Sequence, residues 1–244
     1  MRWLIPFIFL WVATPGLAAP DSVLMRQVDS APEIQSEEKL PKLVKHLTQN
    51  LRKDEDKAYA LLAWIVKNID YDDFKRDQIE QKMTSRHSRT EIPESGDILK
   101  TRLGVCGDIA VLYQRMLTEA HMKAVTIDGC IGEINPRTKK CKDGGPKHRW
   151  NAVWIGDQWE LVDPTWAITG KQVNAMEDIT KKRNYEKELK KRERKSAKTY
   201  EVRTERNVNK KWFMTAPKIM EEDHHPQDER WTLTKTKDRR NKNL

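Results

Sequence analysis

Apolar positions recur at helical spacing in two stretches near the start of this 244-residue chain. Leu40, Leu43, Val44, Leu47 and Leu51 fall on one face of a helix. Ala58, Leu61, Leu62, Ile65, Val66 and Ile69 form a second stripe, with Trp64 beside it. Asp54, Glu55 and Asp56 stand where that second helix begins, and its dipole favours negative charge there. Residues 98–103 predict a short helix ending at Gly104. Ile109, Leu112, Tyr113, Met116, Leu117 and Ala120 mark the buried face of a longer one that opens at Cys106. The period then changes to two. Residues 123–128 alternate, with Val125 and Ile127 inward. Residues 148–164 predict a hairpin, in which Trp150, Ala152 and Trp154 alternate with their neighbours. Gly156 and Asp157 form its two-residue turn, and 158–162 return.

The remaining segments are polar. Residues 20–35 contain proline and read as a flexible lead, and 74–95 as a long surface connection. Before them, Met1 and Arg2 precede a ten-residue apolar run from Trp3 to Val12. Pro15 and Gly16 break it, and Ala18 and Ala19 suit cleavage. Residues 1–19 therefore read as a secretory signal peptide, too short to span a bilayer stably, the alternative being an uncleaved N-terminal anchor. A secreted or periplasmic location follows from this reading.

Export changes the meaning of the three cysteines. Oxidising compartments favour disulfides, and an odd count leaves one thiol over. Cys130 and Cys141 bracket turn signals at Gly132, Asn135 and Pro136 and are the expected pair, the alternative being two free thiols. Cys106 is then the unpaired one.

A free thiol at a helix start meets unbonded N–H groups and positive potential, which favour thiolate. The Cys106 N–H could serve a developing oxyanion, and Gly104 and Gly107 leave room for a substrate backbone. The hairpin supplies the rest. A two-residue turn pairs Ile155 with Gln158 and sets Trp150 opposite Asp163. His148 then lies on the same face, diagonal to Asp163 and within reach of it; a one-residue slip would separate them. Cys106, His148 and Asp163 thus read as nucleophile, acid–base and orienting carboxylate.

The strings GVCGDIAVLYQRML and HRWNAVWIGDQWELVDPTW resemble the core of the transglutaminase-like superfamily, which uses Cys, His and Asp in that chain order, as papain-like enzymes do. AYALLAWIVKNIDYDD resembles the helix preceding that core. KWFMTAPKIMEEDHHPQDERWTLT resembles the segment following it in kyphoscoliosis-peptidase-like proteins, through Trp212, Phe213, Pro217, His224, Pro226 and Trp231. The resemblance implies an α+β fold: a papain/transglutaminase-like core with N-terminal helices, and the nucleophile at a helix N-terminus packed on an antiparallel sheet. It implies a single domain over 36–234, followed by a basic tail at 235–244. It also implies thiol acyl transfer on peptide or amide carbonyls, with hydrolysis favoured over protein cross-linking. A non-catalytic binding module on the same fold is the other reading. By position, Tyr71 resembles the family's aromatic oxyanion donor; the alternative is an aromatic that packs on the core. His224 and His225, with Asp223 near, look like a metal cluster, but a turn packed on the core is the expectation, with no metal and no cofactor.

Residues 171–210 depart from the family pattern. The stretch 171–211 holds fifteen Lys and Arg against seven Asp and Glu, and so carries eight of the nine net positive charges. It reads as a solvated insertion, or as a basic arm for an anionic envelope surface. It has too few aromatics for base stacking, which argues against nucleic acid.

Overall fold

The computed structural model describes residues 20–73, 75–77, 79, 98–135, 137, 141, 147–169 and 207–244. The signal-peptide segment, almost all of the 74–95 connection and most of the charged insertion lie outside the described residues. Among the described residues, no helix is long and apolar enough to cross a membrane.

The first layer is helical: α1 (Pro20–Asp29), α2 (Leu40–Thr48) and α3 (Asp54–Asn68). The apolar stripes of α2 and α3 are buried as their spacing predicts, and α3 starts on its three acidic residues. The lead at 20–35 is not flexible. Leu24 and Val28 lie one turn apart on α1 and are buried, as is Ile34. Gln27 Nε2 donates to the His46 carbonyl at 3.1 Å, tying α1 to α2. Proline misled the reading of this segment. Pro20 opens the helix, where a missing N–H costs nothing.

Next come β1 (Asp70–Tyr71), α4 (Ile98–Thr101) and β2 (Leu103–Gly104). The expected 98–103 helix stops two residues early. Arg102 takes a positive φ of 59°, and its guanidinium reaches the Ile34 carbonyl at 2.6 Å and lies over Trp64. The chain is thereby turned into β2, which pairs in parallel with β1, Tyr71 opposite Gly104.

The main helix α5 (Cys106–Glu119) packs on a four-stranded antiparallel sheet in the order β5-β4-β3-β6. The strands are β3 (Ala124–Ile131), β4 (Lys147–Ile155), β5 (Gln158–Val162) and β6 (His224–Pro226). The hairpin has the register its turn predicts: Ile155 pairs with Gln158, and Asn151 with Val162. Within β3, Ile127 is buried as expected but Val125 only half-buried. Asn151 is fully buried and fastens α5 to the sheet, donating through Nδ2 to the carbonyls of Ala110 at 3.0 Å and Val125 at 3.2 Å.

After β5 follow α6 (Pro164–Thr169), a 3-10 turn (Lys210–Trp212), α7 (Pro217–Met220), β6, a second 3-10 turn (Glu229–Thr232) and α8 (Thr236–Arg239). Residues 235–244 are not a loose tail. Arg239 Nη2 meets both oxygens of the buried Glu160, at 2.8 and 2.7 Å, and Trp159 Nε1 donates to the Asn241 carbonyl at 2.8 Å. The disulfide Cys130–Cys141 is formed, and Cys106 is the free cysteine.

Candidate active site

Each site residue is set in place by an ordinary local rule. Cys106 is the first residue of α5, and Val105 before it is extended. Asp108, three residues beyond Val105, accepts the Val105 N–H at 3.1 Å. That bond closes the helix entrance and leaves the first-turn N–H groups directed outward. Lys75 Nζ meets the same Asp108 oxygen at 2.6 Å, so the segment after β1 is pinned beside the helix start. Gly104 is closely packed: a Cβ there would sit 2.7 Å from Ile98 Cδ1 and 3.0 Å from Asp108 Cβ.

Asp163 follows the last residue of β5 and caps α6. Its Oδ1 accepts the N–H groups of Thr165 at 2.9 Å and Trp166 at 3.0 Å. An Asp followed by Pro is the favoured pair for the cap and first position of a helix. The cap turns Oδ2 to other partners. His148, on β4, places Nε2 2.7 Å from Oδ2. Cys106 lies near enough to raise the proton affinity of the His148 ring. With Nε2 engaged by Asp163, Nδ1 is the ring atom left for the sulfur. The structure therefore brings Cys106, His148 and Asp163 together, with the His–Asp pair on one sheet face as the hairpin register requires.

Exposure falls inward along the set: Cys106 9%, His148 4%, Asp163 0%. Cys106 is the least buried of the three, and the partners behind it are enclosed. Trp150 stacks on the His148 ring at a centroid distance of 6.0 Å, and Trp166 lies at 5.8 Å. In so apolar a box charges interact strongly. Burial opposes a charge on His148, but the Asp163 carboxylate, its hydrogen bond and the Cys106 contact outweigh that, and the imidazole is raised to about 10. Burial likewise opposes ionisation of Asp163, yet the His148 charge and the bonds from both histidines hold its carboxyl well below the usual range.

The second of those histidines was not foreseen in this role. His224, on β6, is 1% exposed and sets Nε2 2.9 Å from the same Asp163 oxygen. Sixty-one residues separate the two. The cues in the sequence are the His224-His225-Pro226 run, which reads as a turn, and the resemblance of the segment around it to the family's tail. His148, Asp163 and His224 place ligand atoms within 4.8 Å of one another, a donor set able to hold zinc. Here both histidines are engaged by hydrogen bonds to Asp163 Oδ2. His225 points elsewhere, with Nε2 2.8 Å from the Gly132 carbonyl. Tyr71 is half-buried against the core, its backbone paired with Gly104 just before the Cys106 helix.

The chain belongs to the transglutaminase-like domain family, whose profile matches residues 38–163, through the end of the hairpin. Among individual proteins it is similar to the kyphoscoliosis peptidases of Mus musculus and Homo sapiens. Identity is 28% over 216 residues to the mouse protein and 25% over 205 to the human one, covering 88% and 84% of this chain. The chain spans about a quarter of the length of these relatives, 27% and 26%. Among solved structures, a crystal structure of a TGase aligns at TM-score 0.39 and 13% identity, over 70% of this chain and 39% of that one.

Proposed function

We propose that the protein is a thiol-dependent acyl-transfer enzyme acting on peptide or amide carbonyls, with water as the usual acceptor. The observation that carries this reading is the buried His148–Asp163 pair at 2.7 Å, with the free cysteine at a helix N-terminus near enough to act on His148. With the shared proton held on His148, the Cys106 thiolate attacks the carbonyl carbon. The oxyanion so formed faces the N–H groups opening α5. As the C–N bond breaks, His148 returns the proton to the leaving amine, and a thioester remains on Cys106. A water then gives its proton to His148 and attacks the thioester, releasing the carboxylic acid and the thiol. Asp163 keeps the imidazole aimed and offsets its charge throughout. The Cys130–Cys141 disulfide supports residence in an oxidising compartment outside the cytosol.

The test is an unbiased peptide-substrate profile of the protein, with and without added primary amines, beside Cys106→Ala. Hydrolysis that disappears in the variant is the expected result. Amine incorporation exceeding hydrolysis would make the protein a cross-linker. Activity intact in Cys106→Ala, together with a Cys106 that alkylates no faster than a free thiol, would remove the reading altogether.

A further inference from the structure

The Asp163 carboxylate accepts four hydrogen bonds, about as many as such a group can take. Two are backbone N–H groups of α6 on Oδ1; two are imidazoles on Oδ2, His148 at 2.7 Å and His224 at 2.9 Å. We propose that His224 is a positioning residue: its Nε2–H holds the far side of Asp163, so that the carboxylate keeps His148 aimed at Cys106. The inference rests on the thiol acyl-transfer reading above.

Three observations converge on it. The first is how His224 gets there. β6 is three residues long and lies on β3 with Gly129 opposite Pro226, while the other edge of Gly129 pairs with His148. A Cβ on Gly129 would sit 2.4 Å from the His225 carbonyl oxygen, 2.5 Å from Trp150 Cη2 and 2.9 Å from Pro226 Cα. The bare backbone at that one position lets β6 come close enough for His224 to reach Asp163. The second is the enclosure. The His224 ring packs against Trp150, Trp166 and Trp212 at 5.0, 4.4 and 5.6 Å. An Oδ2 acceptor left unfilled inside that box would be costly, and His224 fills it. The third is charge. Two imidazolium rings 5.4 Å apart on one carboxylate would leave a net positive charge in a dry pocket. Burial first, and then the His148 charge, lower the proton affinity of His224 despite Asp163. A neutral ring that donates from Nε2 carries no proton on Nδ1. The buried Nδ1 accordingly has no hydrogen-bond partner among the described residues. His224 therefore orients Asp163 without competing with His148 for the charge.

Three variants separate the hydrogen bond from the shape. In His224→Gln the side-chain amide can reach the place of Nε2. In His224→Asn it cannot, and His224→Phe keeps the ring but no donor. Two readouts are taken on the full chain: the pH profile of Cys106 alkylation by iodoacetamide, and the His148 titration followed by 15N NMR in a Cys106→Ala background. The Asn and Phe variants should alkylate about tenfold or more slowly, the low end of what outer hydrogen-bond partners of metal-bound histidines carry, and should displace the His148 titration. The Gln variant should stay near wild type in both. Folded Asn and Phe variants with wild-type alkylation and titration would overturn the proposal. So would Gln and Asn variants that are equally impaired. If the Phe variant does not fold, the Gln–Asn comparison decides. A Cys106 that alkylates no faster than a free thiol sinks the enzyme reading, while the NMR titration still decides whether His224 governs the Asp163–His148 pair.

Discussion

Asp163→Asn isolates the charge that holds the site together. Asn caps a helix as well as Asp does, so α6 should survive with its cap oxygen still on the Thr165 and Trp166 N–H groups. An amide NH2 would then replace Oδ2, facing two imidazole nitrogens that donate to Oδ2 in the wild type. His148 loses a carboxylate contact worth about 4 kcal/mol, taking roughly 4 Å and an effective dielectric of about 20. That equals about a thousandfold in proton affinity, the same size as the rise of His148 from 6.5 to about 10. With the carboxylate gone, burial alone acts, and His148 should titrate at or below its ordinary value. In the wild type, the folded imidazole binds its proton more tightly than the unfolded one. Its contribution to stability is therefore complete below about pH 6.5 and is lost as pH rises through about 10. Asp163 runs the other way: its contribution is complete above about 3.8 and is lost as pH falls through its depressed folded value. These are one ion pair seen from two sides, and breaking it by removing a partner should cost about 3–5 kcal/mol. The assays are urea denaturation at pH 5, 7 and 10, a 15N NMR titration of His148, and the pH profile of substrate turnover or Cys106 alkylation. Turnover should fall by as much as about 10⁴-fold, as when a triad carboxylate is neutralised, and the alkaline limit should move down from about pH 10. An unchanged His148 titration, or a stability loss as large at pH 10 as at pH 5, would refute the reasoning.

Four further outcomes are expected. Asn151→Leu removes its bonds to Ala110 on α5 and Val125 on β3 and should cost about 1–3 kcal/mol in denaturant unfolding, with slower Cys106 alkylation at wild-type secondary structure by circular dichroism. Gly129→Ala forces β6 away from β3 and should lower stability by about 1–3 kcal/mol; its His148 titration should move as in His224→Phe. A Cys130→Ser/Cys141→Ser double variant should lose about 2–3 kcal/mol, while one thiol still titrates with Ellman's reagent in the denatured, unreduced wild type. Deleting 235–244 strips Arg239 from the buried Glu160 and should cost at least as much as the disulfide, read as a lower urea midpoint.

What the sequence discloses about the site depends on how local each relation is. His148 and Asp163 lie 15 residues apart, and a two-residue turn with strict alternation leaves a single register, so their contact follows from a count. Asp163 and Pro164 announce a helix cap, and Cys106 is marked by the Gly–Val–Cys–Gly start of an amphipathic helix. His224 is different. It arrives from a strand too short to show a period, 61 residues away, and only the tertiary path of the chain makes it a partner of Asp163. The buried Asn151 breaks the apolar logic of its strand, a cue that a polar bridge is needed, but its partners Ala110 and Val125 are backbone carbonyls that no side-chain pattern reveals. Residues 20–35 were hidden by the opposite effect. Two prolines suggest an extended chain, although one of them opens a helix and the apolar pair Leu24 and Val28 spans only a single turn.

The arrangement gives the two ends of the His148 ring unequal surroundings. One nitrogen is locked against a carboxylate with every acceptor position filled and no exposure; the other is left for Cys106, the least buried of the three. A proton can therefore leave the pair only on the Cys106 side. On the Asp163 side, four donors and a wall of tryptophan remove both the mobility and the water that would let the carboxylate take it. The same wall explains why the locking strand can be so short. β6 needs only three backbone pairings, because once His224 is seated, withdrawing it would leave a buried Oδ2 acceptor position without its donor. Strand pairing, the second imidazole and the orientation of the first are thus one cooperative unit. A lesion at Gly129, far from any reacting atom, should therefore be read out at Cys106.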